Sequence, residues 1–497
     1  MLFKKKLPFI FVILMSIGTL GCQATKPVES FPSLQIKGDF ILPAGDLGWI
    51  ASDHISSDGR WLALTIRDQK YDSLWIYSLS NQKGTELFQI PTAEVSAGRL
   101  LLTIIGWTTD NRLIFARQGT QPDGNYRGER GLLLFATDPE SLEIEELGWI
   151  PNPTHYIKQV LLNQQSGHIL VHAGTSLWQL PLTGAEAELI RTDFPSYDGL
   201  FYLQPTVDNS KLVYQLFEPD RHGIYLLDID SNLETCLAAT GETFKFGPQW
   251  SPDGKNIAAY SADSKYDTPA DEQHFRLTDR YNIISGEDAP APIADAISII
   301  DTAGGPVARL SVPDLKVGMF AWAPDSHHLG FLTAAPDDTG LEYPLFNFNW
   351  QSIYLANLDG AIIKVADLPA DTSYVDLVRV SADGIYYLMH QSETCSLWWA
   401  RLGQEPLKLD LPAQLPSPKS GSLNAPYVPA TSGDSFFVAY TVADKTYYLQ
   451  VWQDQIEYLT ETDLNSFIVS TPTGAILVGS VSYLPTRSKL TLFTPEP

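Results

Sequence analysis

The chain has 497 residues, 44% hydrophobic and 18% charged, a globular balance with enough apolar mass for a large core. Its formal net charge of −25 repels phosphate backbones and anionic lipid, which argues against nucleic acid or a bare membrane surface as a partner. The 12 Trp, 22 Tyr and 22 Phe, set against four Met, favour strands over helices.

At the N-terminus, Lys4, Lys5 and Lys6 precede an apolar run from Pro8 to Leu20 that ends at Gly21-Cys22. A basic segment, a short apolar stretch and a small residue before the cut make a secretory signal. The run falls several residues short of the ~20 that a spanning helix needs. The Gly21-Cys22 junction resembles the bacterial lipoprotein lipobox, although Thr19 stands where that family usually has Leu. The resemblance implies that Cys22 is lipidated and becomes the mature N-terminus, on the extracytoplasmic face of a cell membrane. At least two acyl chains would then hold the protein where one would not. An ordinary signal peptide cut nearby would leave Cys22 as a spare thiol. Loss of the three signal lysines takes the net charge from −25 to −28. The expected division is a signal over 1–21, a tether over 22–37 and a single β domain over 38–497.

A repeated phrase runs through the rest of the chain. It consists of Ser or Ala, a turn centred on Asp-Gly, then an apolar alternating run. It reads Ser56-Ser57-Asp58-Gly59, Trp250-Ser251-Pro252-Asp253-Gly254, Trp322-Ala323-Pro324-Asp325-Ser326 and Val380-Ser381-Ala382-Asp383-Gly384. Weaker copies stand at Asp110-Asn111, Ser166-Gly167, Asp208-Asn209, Gly433-Asp434 and Thr473-Gly474. A second phrase of apolar, aromatic and apolar residues follows, carrying Trp75, Trp178, Tyr225, Tyr354 and Trp398. Asp-Gly between alternating runs predicts a hairpin, because Gly accepts positive φ and Asp bonds back to the backbone. Units of this length with about four short strands predict the blades of a β-propeller.

The Ser-Pro-Asp-Gly-Lys phrase and the strand after it resemble the TolB-type propeller repeat, also found in prolyl-oligopeptidase-like peptidases. The resemblance implies an all-β propeller of four-stranded antiparallel blades. Nine units are counted, and eight blades is the preferred number within a range of seven to nine. One terminal hairpin is expected to be completed from the other end, with 34–42 adding a strand to the blade containing 475–478.

The chemistry is sparse. No Gly-x-Ser-x-Gly nucleophile motif occurs, so a hydrolase domain of the peptidase type is not expected. His168 and His172 sit on a strand-like segment, where four residues span about 13 Å, too far for one metal. His327 and His328 are adjacent and point to opposite faces, and the turn aspartates are read as backbone acceptors. No catalytic residue, metal or cofactor is expected, and Cys236 and Cys395 are expected as free thiols.

Long insertions at 118–130, 262–296 and 333–350 follow second strands, and the Pro-rich 411–433 is read as a fourth-to-first-strand connection. All four would then crown one face, where long loops on a rigid scaffold commonly carry binding. The acidic insertion offers Asp267, Asp271 and Glu272, and the aromatic one offers Tyr343, Phe346, Phe348 and Trp350. The alternation of Phe346, Phe348 and Trp350 fits equally well the start of a packed strand.

The expected function is that of a monomeric, membrane-anchored, non-catalytic binder of an envelope protein, peptide or glycan. The alternatives are a carbohydrate-active lyase or hydrolase with an acidic central channel, and a purely structural envelope component.

Overall fold

In the computed structural model, the described residues run from Leu34 to Pro495. They exclude connections of which the longest are 42–48, 92–99, 121–129, 193–199, 264–293, 336–348, 425–434 and 481–488. They form 36 strands, β1–β36, arranged as nine four-stranded antiparallel sheets. In chain order, sheets 1 to 8 occupy 49–91, 100–151, 157–191, 200–239, 243–310, 316–367, 372–408 and 421–463. Within each, the four strands A, B, C and D lie side by side in sequence order.

Sheet 9 is assembled from both ends of the described chain. β34 (Ser466–Ser470), β35 (Ile476–Ser480) and β36 (Lys489–Pro495) supply A to C, and β1 (Leu34–Ile41) supplies the outer strand. The β1 register runs from Leu34 opposite Pro495 to Ile41 opposite Lys489. This is the joint expected from the sequence. Because β1 opens at Leu34, positions 34–37 leave the segment assigned to a tether.

The preferred count of eight gives way to nine sheets. Each of the nine turn phrases falls on the A-to-B connection of a different sheet. The terminal unit is made whole by β1 and is not absorbed into a neighbour, so no phrase is lost to a shared sheet.

The turns form as their side chains dictate. In sheet 1 the Ser56 hydroxyl donates to Asp58 Oδ1 at 2.7 Å, and the Arg60 amide donates to the same oxygen at 2.9 Å. The Trp61 amide donates to Ser56 Oγ at 2.9 Å, and Gly59 takes φ 71°. Ser251-Asp253 and Thr206-Asp208 repeat the hydroxyl-to-carboxylate bond at 2.7 and 2.6 Å. Asn111, Asn209 and Ser326 replace Gly at the positive-φ position, at 63°, 56° and 61°. Their side chains then reach the preceding sheet. Ser57 Oγ donates to Asn111 Oδ1 at 2.8 Å, Asn209 Nδ2 donates to the Leu162 carbonyl, and the Asp253 amide donates to Ser326 Oγ at 2.9 Å. Trp107 and Trp250 add an indole N–H to the first strand of the preceding sheet, on the carbonyls of His54 and Gln204, each at 3.0 Å. The turn residues therefore shape a hairpin and also join neighbouring sheets.

Apolar clusters do the rest of the joining. Ile76 and Leu74 meet Phe115 and Leu113 between sheets 1 and 2, and Leu134 and Ile150 meet Val171 and Leu180 between sheets 2 and 3. Similar clusters join every consecutive pair up to sheets 7 and 8, where Leu388 and Leu397 meet Val438 and Leu449. Each fully buried Leu, Ile or Phe contributes about 1.5–3 kcal/mol of transfer free energy.

The third-strand aromatics occupy equivalent places. Trp75, Trp178, Tyr225 and Tyr354 each sit immediately after a shift in the C-to-D register, and all five, Trp398 included, are half-buried. Several stack on a second-strand ring directly across the ladder. Phe331 and Tyr354 lie 5.5 Å apart, Tyr214 and Tyr225 6.0 Å, and Tyr387 and Trp398 6.4 Å. The bulge adds local twist at the outer edge of sheets 1, 3, 4 and 6.

Candidate functional site

The proposed rim falls mostly outside the described residues. Cys22, Asp267, Asp271, Glu272, Tyr343, Phe346 and Phe348 all lie there. Trp350 is described, and it is not a surface anchor. It opens β24 (Trp350–Asn357) at 2% exposure, in the core shared by sheets 6 and 7. An ideal Cβ on Gly318 would lie 2.4 Å from Trp350 Cζ3, so the ring occupies the space that this glycine leaves open. The aromatic alternation therefore marks a strand start at this residue.

The connections are placed unevenly. The insertions around 121–129, 264–293 and 336–348 each link B to C, in sheets 2, 5 and 6. The fourth stretch is divided, contrary to the reading of 411–433 as one fourth-to-first connection. β30 (Gly421–Asn424) forms the A strand of sheet 8 within it. Residues 425–433 accordingly belong to an A-to-B connection and leave the opposite end of the strands. Gly-Ser-Leu-Asn has no β-branched residue and sits among prolines, so nothing in its composition announces a strand.

Two polar clusters stand out among the described side chains. The first is at the B-to-C end of sheet 7, on β26 (Thr372–Ser381), β27 (Gly384–Gln391) and β28 (Thr394–Arg401). The Tyr374 hydroxyl donates to Asp376 Oδ1 at 2.7 Å, its ring lies 5.5 Å from that of His390, and His390 Nε2 is 3.4 Å from Cys395 Sγ. Burial pushes the His390 imidazole below its ordinary value, against the opposing pull of Asp376.

The second cluster centres on Glu234, on β17 (Leu233–Ala239), the outer strand of sheet 4. One carboxylate oxygen accepts from Arg191 Nη1 at 3.0 Å and from the Tyr214 hydroxyl, and the other accepts from Arg221 Nη2. Arg221 also lies over the Tyr225 ring, 5.2 Å from its centroid. Burial, then the bond to Glu234, push the Tyr214 phenol up and keep it protonated. Beside this cluster a cleft of about 600 Å³ is lined by Leu189, Ile190, Arg191, Thr192, Asn232 and Glu234. Arg191 and Glu234 are 43 residues apart in sequence and belong to different sheets, so no local motif signals their meeting.

His328 Nδ1 lies 2.7 Å from Asp325 Oδ2 within its own turn, and His172 Nε2 lies 3.0 Å from the Gly174 carbonyl. Cys236, exposed, and Cys395, buried, form no disulfide. Among the described residues, no three His, Cys, Asp or Glu side chains are grouped to hold a metal.

No family profile and no curated protein sequence matches the chain. Solved structures do match in shape. The chain is similar to a prolyl endopeptidase studied for inter-domain dynamics, at 12% identity, TM-score 0.39, over 82% of this chain and 55% of that one. It is similar to dipeptidyl peptidase 4 of Porphyromonas gingivalis, at 10% identity, TM-score 0.45, over 88% of this chain and 65% of that one. It is also similar to a TolB from Agrobacterium tumefaciens, at 17% identity, TM-score 0.26, over 61% of this chain and 90% of that one. The chain thus spans less than two thirds of either peptidase, and the peptidase activities belong to those proteins.

Proposed function

We propose that the nine sheets close into a nine-bladed β-propeller, held to a membrane through Cys22. Its work is to bind a protein, peptide or glycan, without catalysis, at the end that carries its long second-to-third-strand connections. The observation that carries this reading is the asymmetry of the sheet ends. The A-to-B turns of sheets 1, 2, 4 and 5 are short, bonded within themselves and tied to neighbouring sheets, whereas three B-to-C connections are long. Four braced turns at one end and three long connections at the other suit a binding rim on the second side. Closure is supported by the clusters joining sheets 1 to 8 in succession, by the contact of β33 (Gln455–Asp463) with β35, and by the β1–β36 pairing, which leaves sheet 9 no missing strand.

The test deletes 267–288 and, separately, replaces Cys22 with Ser, in the full chain expressed in a bacterial envelope. The deletion should abolish cross-linked capture of an envelope partner while leaving far-UV circular dichroism unchanged. The serine variant should leave the membrane fraction and lose labelled palmitate. Full partner capture by the deletion variant, or a membrane-bound serine variant, overturns the corresponding half of the reading.

A further inference from the structure

We infer that Cys395 and His390 form a reversible thiol-oxidation site that takes a small hydroperoxide, with His390 Nε2 as the acceptor of the thiol proton. The site is built on β26, β27 and β28, the first three strands of sheet 7, and Cys395 belongs to the core that sheet 7 shares with sheet 8. It uses no residue of the long insertions, so it does not depend on the loop rim.

Three observations support this. The first is alignment. Tyr374 lies directly opposite His390 in the β26–β27 register, and His390 lies directly opposite Cys395 in the β27–β28 register. Directly opposed residues share one face of a sheet. The three side chains therefore form a row across strands A, B and C. The 3.4 Å between His390 Nε2 and Cys395 Sγ, and the 5.5 Å between the Tyr374 and His390 rings, follow from that register. Backbone pairing holds the base beside the thiol, and no rearrangement is needed to bring them together.

The second observation is charge. A thiol reacts as its thiolate, so it needs a base. Burial disfavours the imidazolium form of His390 and leaves a neutral ring, whose Nε2 lone pair accepts the thiol hydrogen when Nδ1 carries the ring proton. Asp376, which accepts from the Tyr374 hydroxyl, pulls the other way and stabilises the imidazolium once the proton has arrived.

The third observation is access. Cys395 is 6% exposed, whereas Tyr374, at the other end of the row, is 38% exposed, and Thr394 beside the cysteine is exposed too. This placement suits an oxidant close to water in size and disfavours a bulky reagent. In the step, His390 Nε2 takes the proton as the S–H bond breaks. The sulfur lone pair attacks one peroxide oxygen, the S–O bond forms and the O–O bond breaks. The departing hydroxide takes the proton back from His390 and leaves as water. Sulfur gives up two electrons, the peroxide gains them, and Cys395 becomes a sulfenic acid. Two equivalents of an external thiol return it to the thiol, with a disulfide and water as products.

The experiment uses the full chain in detergent, pulsed with hydrogen peroxide, trapped with dimedone and read by peptide mass spectrometry. Cys236, exposed on β17, is the reference thiol within the same chain. Cys395 should gain the dimedone adduct about tenfold faster than Cys236, because a thiol without a base is mostly protonated at neutral pH. A thiol reductant added before dimedone should abolish the adduct. With a bulky aromatic disulfide the order should reverse, and in urea the two cysteines should react with peroxide at equal rates. His390→Gln should slow the peroxide reaction at Cys395 about tenfold and leave Cys236 unchanged. The comparison of the two cysteines is made on the native protein, so it holds even if the variant fails to fold. Equal peroxide rates at the two cysteines in the native protein, an advantage for Cys395 that survives in urea, or a folded His390→Gln variant that keeps the native rate each overturns the assignment.

Discussion

The two ends of the sheets follow different rules. At the A-to-B end of sheets 1, 2, 4 and 5, the shape of the turn is set within about six residues by a hydroxyl, a carboxylate and a residue at positive φ. At the B-to-C end, nothing local limits the connection. It is a short hairpin between β27 and β28 in sheet 7 and a long insertion in sheets 2, 5 and 6. Loop-closure entropy grows slowly with length, so a long insertion is tolerated where the strands beside it are already held. The braced end preserves the stacking of the sheets, and the other end is free to vary.

The largest expected effect tests where the core stops and the variable end begins. Trp350→Ala should cost about 3–5 kcal/mol in denaturant unfolding, while the adjacent exposed Asn349→Ala should stay within about 0.5 kcal/mol. Equal effects would erase the boundary drawn between them. Next, Ser251→Ala removes two bonds at once, to Asp253 Oδ1 and from the Asn256 amide, and should cost about 1–2 kcal/mol. The same substitution at the exposed Ser57, one residue further into its turn, should cost less.

A smaller effect separates the half-buried histidines from the turn aspartates by pH. Burial lowers the imidazole pKa of both His54 and His390 in the folded state. The unfolded chain therefore binds protons first as pH falls through about 6.5. Stability is fully present above that value and declines below it. Asp58, Asp208, Asp253 and Asp325 behave oppositely in cause. At Asp208, the Thr206 hydroxyl leads in lowering the carboxyl pKa. At the other three, partial burial pulls upward but is outweighed by hydrogen bonds from the turn. Their stabilisation is present above about pH 3.8 and is lost as pH falls further. A melting-temperature profile should show two declines, and His390→Gln should reduce only the upper one. Deleting 267–288 should also have a small effect, changing unfolding free energy by less than about 1 kcal/mol. A larger loss would mean that the insertion packs on the scaffold.

The same contrast explains what the sequence disclosed. Ser56-Asp58-Gly59 and Ser251-Asp253-Gly254 are legible because all of their bonds close within a few residues. Trp75, Tyr225 and Tyr354 are legible as a set because the C-to-D bulge recurs beside each. Trp350 was open to two readings, since an aromatic every second residue suits a surface strip as well as a strand start. β30 was hidden by the prolines around it. The Glu234 cluster was invisible, because Arg191, Tyr214, Arg221 and Glu234 come from four strands of two sheets and meet only in the fold.

The position of β1 has a mechanical consequence. It is the last strand of its sheet, paired on one side only, and it is the first described element after the segment that would lead to Cys22. If the chain is anchored there, any tension between membrane and partner enters the protein through this strand. A pull along its axis loads the paired positions from Leu34 to Ile41 in shear, whereas a pull across it peels them one after another. Force spectroscopy with handles at residue 22 and at the proposed binding end should register β1 as the first element released. The strand that completes the ninth sheet would then also set the load at which an anchored molecule begins to open.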